Sequence, residues 1–266
     1  MNEYFYYPLV TLAIISVYML IIYFIGRTIR NFSIVDVAWA FNFLFIAAII
    51  LSLTGITTNR AIIVYTLASL WSLRLGIHLS VRVLGHIREE EGRYKQLRKE
   101  WAKNLNVKFL AFFLMQGFSN VFLAIPYFLM VLNRDADMNV LEYVGAAMWL
   151  ISIAGEGISD YQLKAFKADP DNKGKVCDVG LWNYSRHPNY FFQLMIWISV
   201  FIMAVSSPYG WISIICPLSI GYLLFKVTGI PMTEEQSLKS RPVAYKKYQQ
   251  TTSMFIPWFK KDAAKK

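Results

Sequence analysis

The chain has 266 residues, of which 56% are hydrophobic, 16% aromatic and only 17% charged, whereas soluble domains carry about 25% charged side chains. This balance excludes disorder, collagen, coiled coil and an ordinary soluble domain, and calls for lipid-facing surface. The formal charge of +10 would suggest nucleic acid in a soluble protein, but basic cytoplasmic loops account for it in a membrane protein, and no nucleic-acid partner is expected.

Taken in chain order, the apolar stretches predict an all-α polytopic membrane protein. Met1-Asn2-Glu3 lacks the basic start of a signal peptide, so the first apolar stretch is read as retained. A span needs about 20 residues. Stretches that meet this are Tyr7 to Ile25, Ile34 to Leu53, Ala61 to Leu79, Phe109 to Leu132, Tyr143 to about Phe166, Tyr190 to Val205 and Ile212 to Val227. That makes about seven spans, the last two joined by the short turn Ser206 to Gly210. Of the 27 Lys and Arg residues, 24 fall in alternate loops: after the first span, between Arg82 and Lys108, between Lys164 and Arg186, and from Lys226 onward. The N-terminus is therefore expected outside and the C-terminus in the cytoplasm. Arg88 to Lys103 is amphipathic, with Tyr94, Leu97 and Trp101 at helical spacing, and is expected to lie along the inner membrane surface. With no internal repeat and no long linker, residues 1–266 are read as a single domain. Cys177 and Cys216 have neither metal-ligand spacing nor a disulfide framework, so free thiols and no metal are expected.

Ionisable residues inside spans are costly and therefore candidates for function. Arg74, His78 and Arg82 recur every fourth residue and form a basic stripe on the third span; snorkelling arginines beside a structural histidine would read the same way. On the fifth, Glu156, Asp160, Lys164 and Lys167 share one face, and the like-charge pair at its start implies a polar cavity. Asp36 opens the second span. It is either a first-turn aspartate favoured by the helix dipole or a buried, protonated carboxyl able to donate to a substrate carbonyl. The densest signal is Asp169 to Tyr190: Lys173, Lys175 and Arg186 offer cations to phosphate, Trp182, Tyr184 and Tyr190 offer flat faces, and Asn189 offers a paired donor and acceptor, a set suited to a nucleotide. No GxGxxG unit accompanies it, so a nucleotide would be held without a Rossmann fold.

The run Gly180-Leu181-Trp182-Asn183-Tyr184-Ser185-Arg186-His187-Pro188-Asn189-Tyr190, with Glu234-Glu235, Tyr245-Lys246-Lys247-Tyr248 and Phe255-Ile256-Pro257 behind it, resembles the steroid 5-alpha-reductase superfamily, in its bacterial and plant branch. The resemblance runs from Asp36 to Phe259. It implies NADPH as cofactor, with Asp160, Lys167, Lys175, Asn189 and Gln193 in contact with it, Glu156 at the position of an amide, and Arg241 and Tyr245 over the adenosine-phosphate end. The motif residues Tyr184, Arg186, His187, Tyr190, Glu235 and Tyr248 join this set, as does the basic stripe, where His78 replaces a tyrosine and Arg82 an asparagine. Asp36 and Trp71 stand where the steroid enzymes place a glutamine and a tyrosine about the enone carbonyl. The implied activity is reduction by NADPH of a polarised carbon-carbon double bond in a hydrophobic lipid, a steroid-like or isoprenoid enone, in a bacterial inner membrane or the endoplasmic reticulum. The same superfamily includes isoprenylcysteine carboxyl methyltransferases, which share Arg-His-Pro-x-Tyr followed by Glu-Glu, so a lipid methyltransferase using S-adenosylmethionine is the rival enzyme. A transporter or lipid-binding scaffold is the rival without chemistry.

Overall fold

The computed structural model describes residues 2–135 and 137–261, and no strand occurs among them. Five helical stretches are long and apolar enough to cross a membrane: Glu3–Ile29, Ile34–Thr54, Asn59–Leu84, Ala102–Val131 and Gly210–Ser240. Pro188–Ala204 is a shorter apolar helix. The remaining expected span became Val140–Ala168, which carries Glu142, Glu156 and Asp160 along its length and is not among the five.

The chain forms two compact units, Met1–Met138 with Ser207–Gly210, and Asn139–Ser206 with Trp211–Lys266. In the first unit, α1 (Glu3–Ile29), α2 (Ile34–Thr54) and α3 (Asn59–Leu84) are followed by a short α4 (Gly92–Glu100), then α5 (Leu105–Leu123) and α6 (Ile125–Val131). The expected single span from Phe109 is broken between α5 and α6 because Pro126 has no N–H with which to continue the ladder. Polar side chains stitch the apolar helices together. The Ser72 hydroxyl on α3 donates to Ala40 O at 2.6 Å and accepts from Leu44 N at 3.0 Å, standing between two α2 groups that would otherwise close a helical turn. Gly76 lets α3 approach further, since a Cβ there would lie 2.7 Å from the Phe41 ring. The Asn42 amide donates to Asn120 Oδ1 at 2.7 Å, and Asn120 donates to Trp39 O. Buried Arg60 reaches the carbonyls of Asp135 and Asp137 at 2.7 and 2.6 Å and ties the start of α3 to the segment after α6.

The second unit is built on α7 (Val140–Ala168) and α8 (Pro188–Ala204). The Asn139 side chain and Glu142 form a capping box at the start of α7, which is how a carboxylate is buried there without loss. Two glycines allow close packing: a Cβ on Gly145 would sit 2.8 Å from Ser199 O, and one on Gly155 2.5 Å from the Phe192 ring. Beyond them α9 (Ile215–Tyr222) runs into a π turn at Leu223–Val227, followed by α10 (Ile230–Ser240) and α11 (Pro242–Thr251).

Candidate functional site

In the first unit the site grows from the start of α2. Ser33 occupies the N-cap position but spends its hydroxyl on Glu91 N at 3.0 Å. Asp36, in the first turn, accepts the Tyr94 O–H on Oδ1 at 2.6 Å, with an Arg82 Nη2 at 3.8 Å from Oδ2. Arg82 is held by both oxygens of Glu91, at 2.7 and 3.2 Å. Tyr94 is 0% exposed, and burial pushes its hydroxyl well above the usual tyrosine range. The neighbouring loop is pinned by Glu90, which accepts from Phe32 N at 2.8 Å and takes Arg98 on both oxygens. The amphipathic pattern of α4 is thus satisfied by protein: Tyr94 and Trp101 both meet Phe112.

Trp71 is buried with its ring edge-on to Trp39 and Phe43. Along the stripe, Arg74 is half-buried, while His78 and Arg82 are exposed, so only its first member lies inside the helix bundle.

The second unit gathers most of the remaining candidates. Glu156 is buried, and one turn later Asp160 Oδ1 accepts the Asn189 amide at 3.3 Å. Gln193 is half-buried one turn further along α8. The loop between α7 and α8 turns at Gly174 and Gly180, whose φ of 80° and 55° favour glycine. Leu181 N donates to Gln162 Oε1 and the Trp182 indole to Ser159 O, both at 2.9 Å, which anchors the run Tyr184 to Tyr190 on α7.

Glu234 is the hub of this unit. Its Oε1 takes Arg186 Nε at 2.7 Å, His187 Nε2 at 3.2 Å and the Tyr245 hydroxyl at 3.3 Å, while Oε2 accepts Gln249 Nε2 at 2.8 Å. Arg186 also donates to the carbonyls of Gln249 and Thr252 at the end of α11, satisfying acceptors that the helix leaves open. His187 stacks on Tyr190, with ring planes 4° apart. The Tyr248 hydroxyl reaches the carbonyls of Trp182 and Ser185. Burial raises both Tyr245 and Tyr248 well above the ordinary range, so both remain proton donors.

Next to this hub is a cavity of about 100 Å³, lined by Lys167, Cys177, His187, Thr233, Arg241 and Tyr245 among others. Arg241 donates from Nη1 to Lys175 O at 2.7 Å, and its buried Nε has no hydrogen-bond partner. Among the described residues Arg186 is neutralised by Glu234, whereas Lys167 and Arg241 line the cavity without a carboxylate partner. A buried guanidinium N–H without an acceptor fits an anionic group. The volume is below the about 300–1,000 Å³ of a whole small-molecule site, so the cavity suits one end of a ligand.

Several candidates stand apart. Glu235 is exposed and pairs with Lys239 at 2.6 Å on the surface of α10. The Lys175 side chain is exposed, and Tyr184 is exposed against Phe259. Sequence reasoning did not assign Tyr94, Gln249 or the hub role of Glu234. For Glu234 a signal was present: a buried Arg-His pair needs a counter-charge, and the Glu-Glu pair supplies one.

A family model described as a protein of unknown function (DUF1295) matches residues 22–252. The chain belongs to the DUF1295 family. No curated protein and no solved structure matches it. The DUF1295 segment runs from the second half of α1 to the end of α11 and contains Asp36, Tyr94, Glu234 and the residues lining the cavity.

Proposed function

We propose that this DUF1295 protein is an NADPH-dependent reductase of a polarised carbon-carbon double bond in a lipid, a steroid-like or isoprenoid enone, with seven spans, the N-terminus outside and the C-terminus in the cytoplasm of a bacterial inner membrane or the endoplasmic reticulum. The observation that carries the reading is the cavity in which Lys167 and the open Nε of Arg241 meet beside Tyr245. These residues fit a phosphate of the cofactor, and the Asp160–Asn189 pair, which offers both acceptor and donor, fits its amide or hydroxyl groups. The resemblance to the steroid 5-alpha-reductase superfamily supports NADPH over other nucleotides. When bound, NADPH would supply the hydride for the β carbon, and the balancing proton would pass from the Asp36 carboxyl to the carbonyl oxygen, giving an enol that tautomerises to the saturated ketone. The chain's own part is to hold the enone: Tyr94 occupies Oδ1 of Asp36, which leaves Oδ2 of a protonated carboxyl to donate to the substrate carbonyl, and the Trp71 indole is a second donor in the same helix pair. Orientation then supplies most of the rate.

A second reading rests on one contact. The bonds of Arg186 and His187 to Glu234 join the two motifs shared with the isoprenylcysteine carboxyl methyltransferases, so a lipid methyltransferase using S-adenosylmethionine would use the same hub. Thermal unfolding of the detergent-purified protein with NADPH, NADH and S-adenosylmethionine in parallel distinguishes the two. At about 100 times its dissociation constant a ligand adds about 2.7 kcal/mol. A rise with NADPH that Arg241→Ala removes is the expected result; a rise with S-adenosylmethionine alone overturns the reductase. An Asp36→Asn variant that folds, binds NADPH and keeps full turnover would take Asp36 out of the chemistry.

A further inference from the structure

The segment after α11 lies beyond the DUF1295 match and exposes large apolar side chains: Trp258 is 65% and Phe259 72% exposed, and Ile256 is exposed beside them. This is not the fraying of a chain end, because the backbone is held at every second or third residue. Arg186 N donates to Ser253 O, Ser185 Oγ to Phe255 O, Trp258 N to Tyr184 O and Lys261 N to Thr251 O, all between 2.8 and 2.9 Å. A rigid, exposed aromatic surface needs a partner.

Two observations say which. The first is depth. Phe255 packs against Phe191 in the first turn of α8 and against Phe225 in the π turn that ends the apolar run of α9, with ring centres 5.6 and 4.6 Å apart. The segment therefore sits at the level where two apolar helices give way to polar loops, and tryptophan and phenylalanine with flanking lysines are what a headgroup layer selects at that level. The second is charge. From Arg241 to Lys261 the chain holds Arg241, Lys246, Lys247, Lys260 and Lys261 and no acidic residue; Lys246, Lys247 and Lys261 are exposed, while Lys260 meets Asp178 at 3.1 Å.

We propose that Met254–Lys261 is an interfacial anchor, seated in the headgroup layer of an anionic phospholipid leaflet. Its rings enter the boundary between headgroups and acyl chains, and Lys261, with Lys260 beside the Asp178 carboxylate, faces the lipid phosphates. The anchor fixes the end of α11, and through the Arg186 bonds to Thr252 and Ser253 it ties the hub to the membrane plane.

The test uses the full chain in vesicles. Cys177 and Cys216 are buried, so a thiol-reactive spin label reports the introduced position in Trp258→Cys and in Val243→Cys, a control that is 84% exposed on α11. Collision rates with oxygen, which concentrates in lipid, and with a water-soluble nickel complex are read in phosphatidylcholine and in phosphatidylglycerol vesicles. The expected result is several-fold less nickel access and more oxygen access at 258 than at 243, with a further drop in nickel access in phosphatidylglycerol. Each lysine near such a surface is worth about a fivefold shift in immersion, so a double Lys260→Gln, Lys261→Gln variant should lose the difference between the two lipids. Equal nickel access at 258 and 243 overturns the anchor. Protection at 258 from both reagents also overturns it and identifies a protein partner or a second copy as the occupant. No lipid difference with both lysines in place overturns the anionic preference, and a difference that survives in the double variant overturns its assignment to Lys260 and Lys261.

Discussion

Replacing Glu234 by Gln tests whether the hub is an electrostatic centre. Arg186 is 9% exposed and His187 2%, and Oε1 of Glu234 takes hydrogen bonds from both as well as from Tyr245. Removing the negative charge leaves a buried guanidinium whose remaining partners are the carbonyls of Gln249 and Thr252. It also turns an amide N–H₂ toward a donor that is already present, because one amide oxygen cannot serve both the Arg186 side and the Gln249 amide. Breaking a buried ion pair costs about 3–5 kcal/mol, and the two carbonyls place this case at the lower end, about 3 kcal/mol. For a chain of this size that corresponds to a fall of about 6–12 °C in the unfolding midpoint. The assay is tryptophan fluorescence during heating in detergent, with Glu235→Gln as control. Glu235 pairs with Lys239 on the surface of α10, and its variant should melt with the wild type. Equal shifts for the two variants, or none for Glu234→Gln, would refute the hub.

Gly145→Ala should destabilise the α7–α8 pair by about 1–3 kcal/mol, since the added Cβ would lie 2.8 Å from the Ser199 carbonyl and backbone cannot rotate aside; unchanged thermal stability would contradict the close packing. Tyr94→Phe should leave the fold in place and lower turnover of a reducible enone more than it weakens NADPH binding, because it removes the bond that orients Asp36; steady-state kinetics with separate cofactor titration checks this. Tyr94, Tyr245 and Tyr248 are all raised in the folded state by burial. Their contribution is fully present below the unfolded tyrosine value of about 10 and is lost as pH rises above it, since only the unfolded chain then ionises. Stability measured across alkaline pH should therefore be level to about 10 and fall beyond, and the fall should be shallower in Tyr248→Phe.

How much of this was legible beforehand depended on whether a residue's partner was near in sequence or chemically obvious. The apolar stretches announced α1, α2 and α3 because length and lipid exposure are additive along the chain. Arg186 and His187 stood out, and the structure brings Glu234 to them across 48 residues. Tyr94 was placed on an amphipathic stretch, but a hydrophobic stripe does not say whether lipid or protein covers it; here α5 does, through Phe112. The break at Ala124 to Pro126 and the π turn at Leu223–Val227 were lost inside uniformly apolar runs, where composition is blind to the loss of a single ladder bond. The part played by Arg60 was not legible, because its acceptors are backbone carbonyls, which every sequence contains.

The Ser72 hydroxyl between Ala40 and Leu44 has a consequence for how a lipid could enter. It makes α2 and α3 share a ladder, so sliding or tilting one past the other breaks two bonds in a setting with no water to replace them. Asp36 lies one turn before Ala40, and Trp71 adjoins Ser72. The two groups about the proposed carbonyl position thus ride on one rigid body although they come from separate helices. An opening that admitted the proposed substrate and kept that spacing would therefore have to come from an element other than α2 and α3.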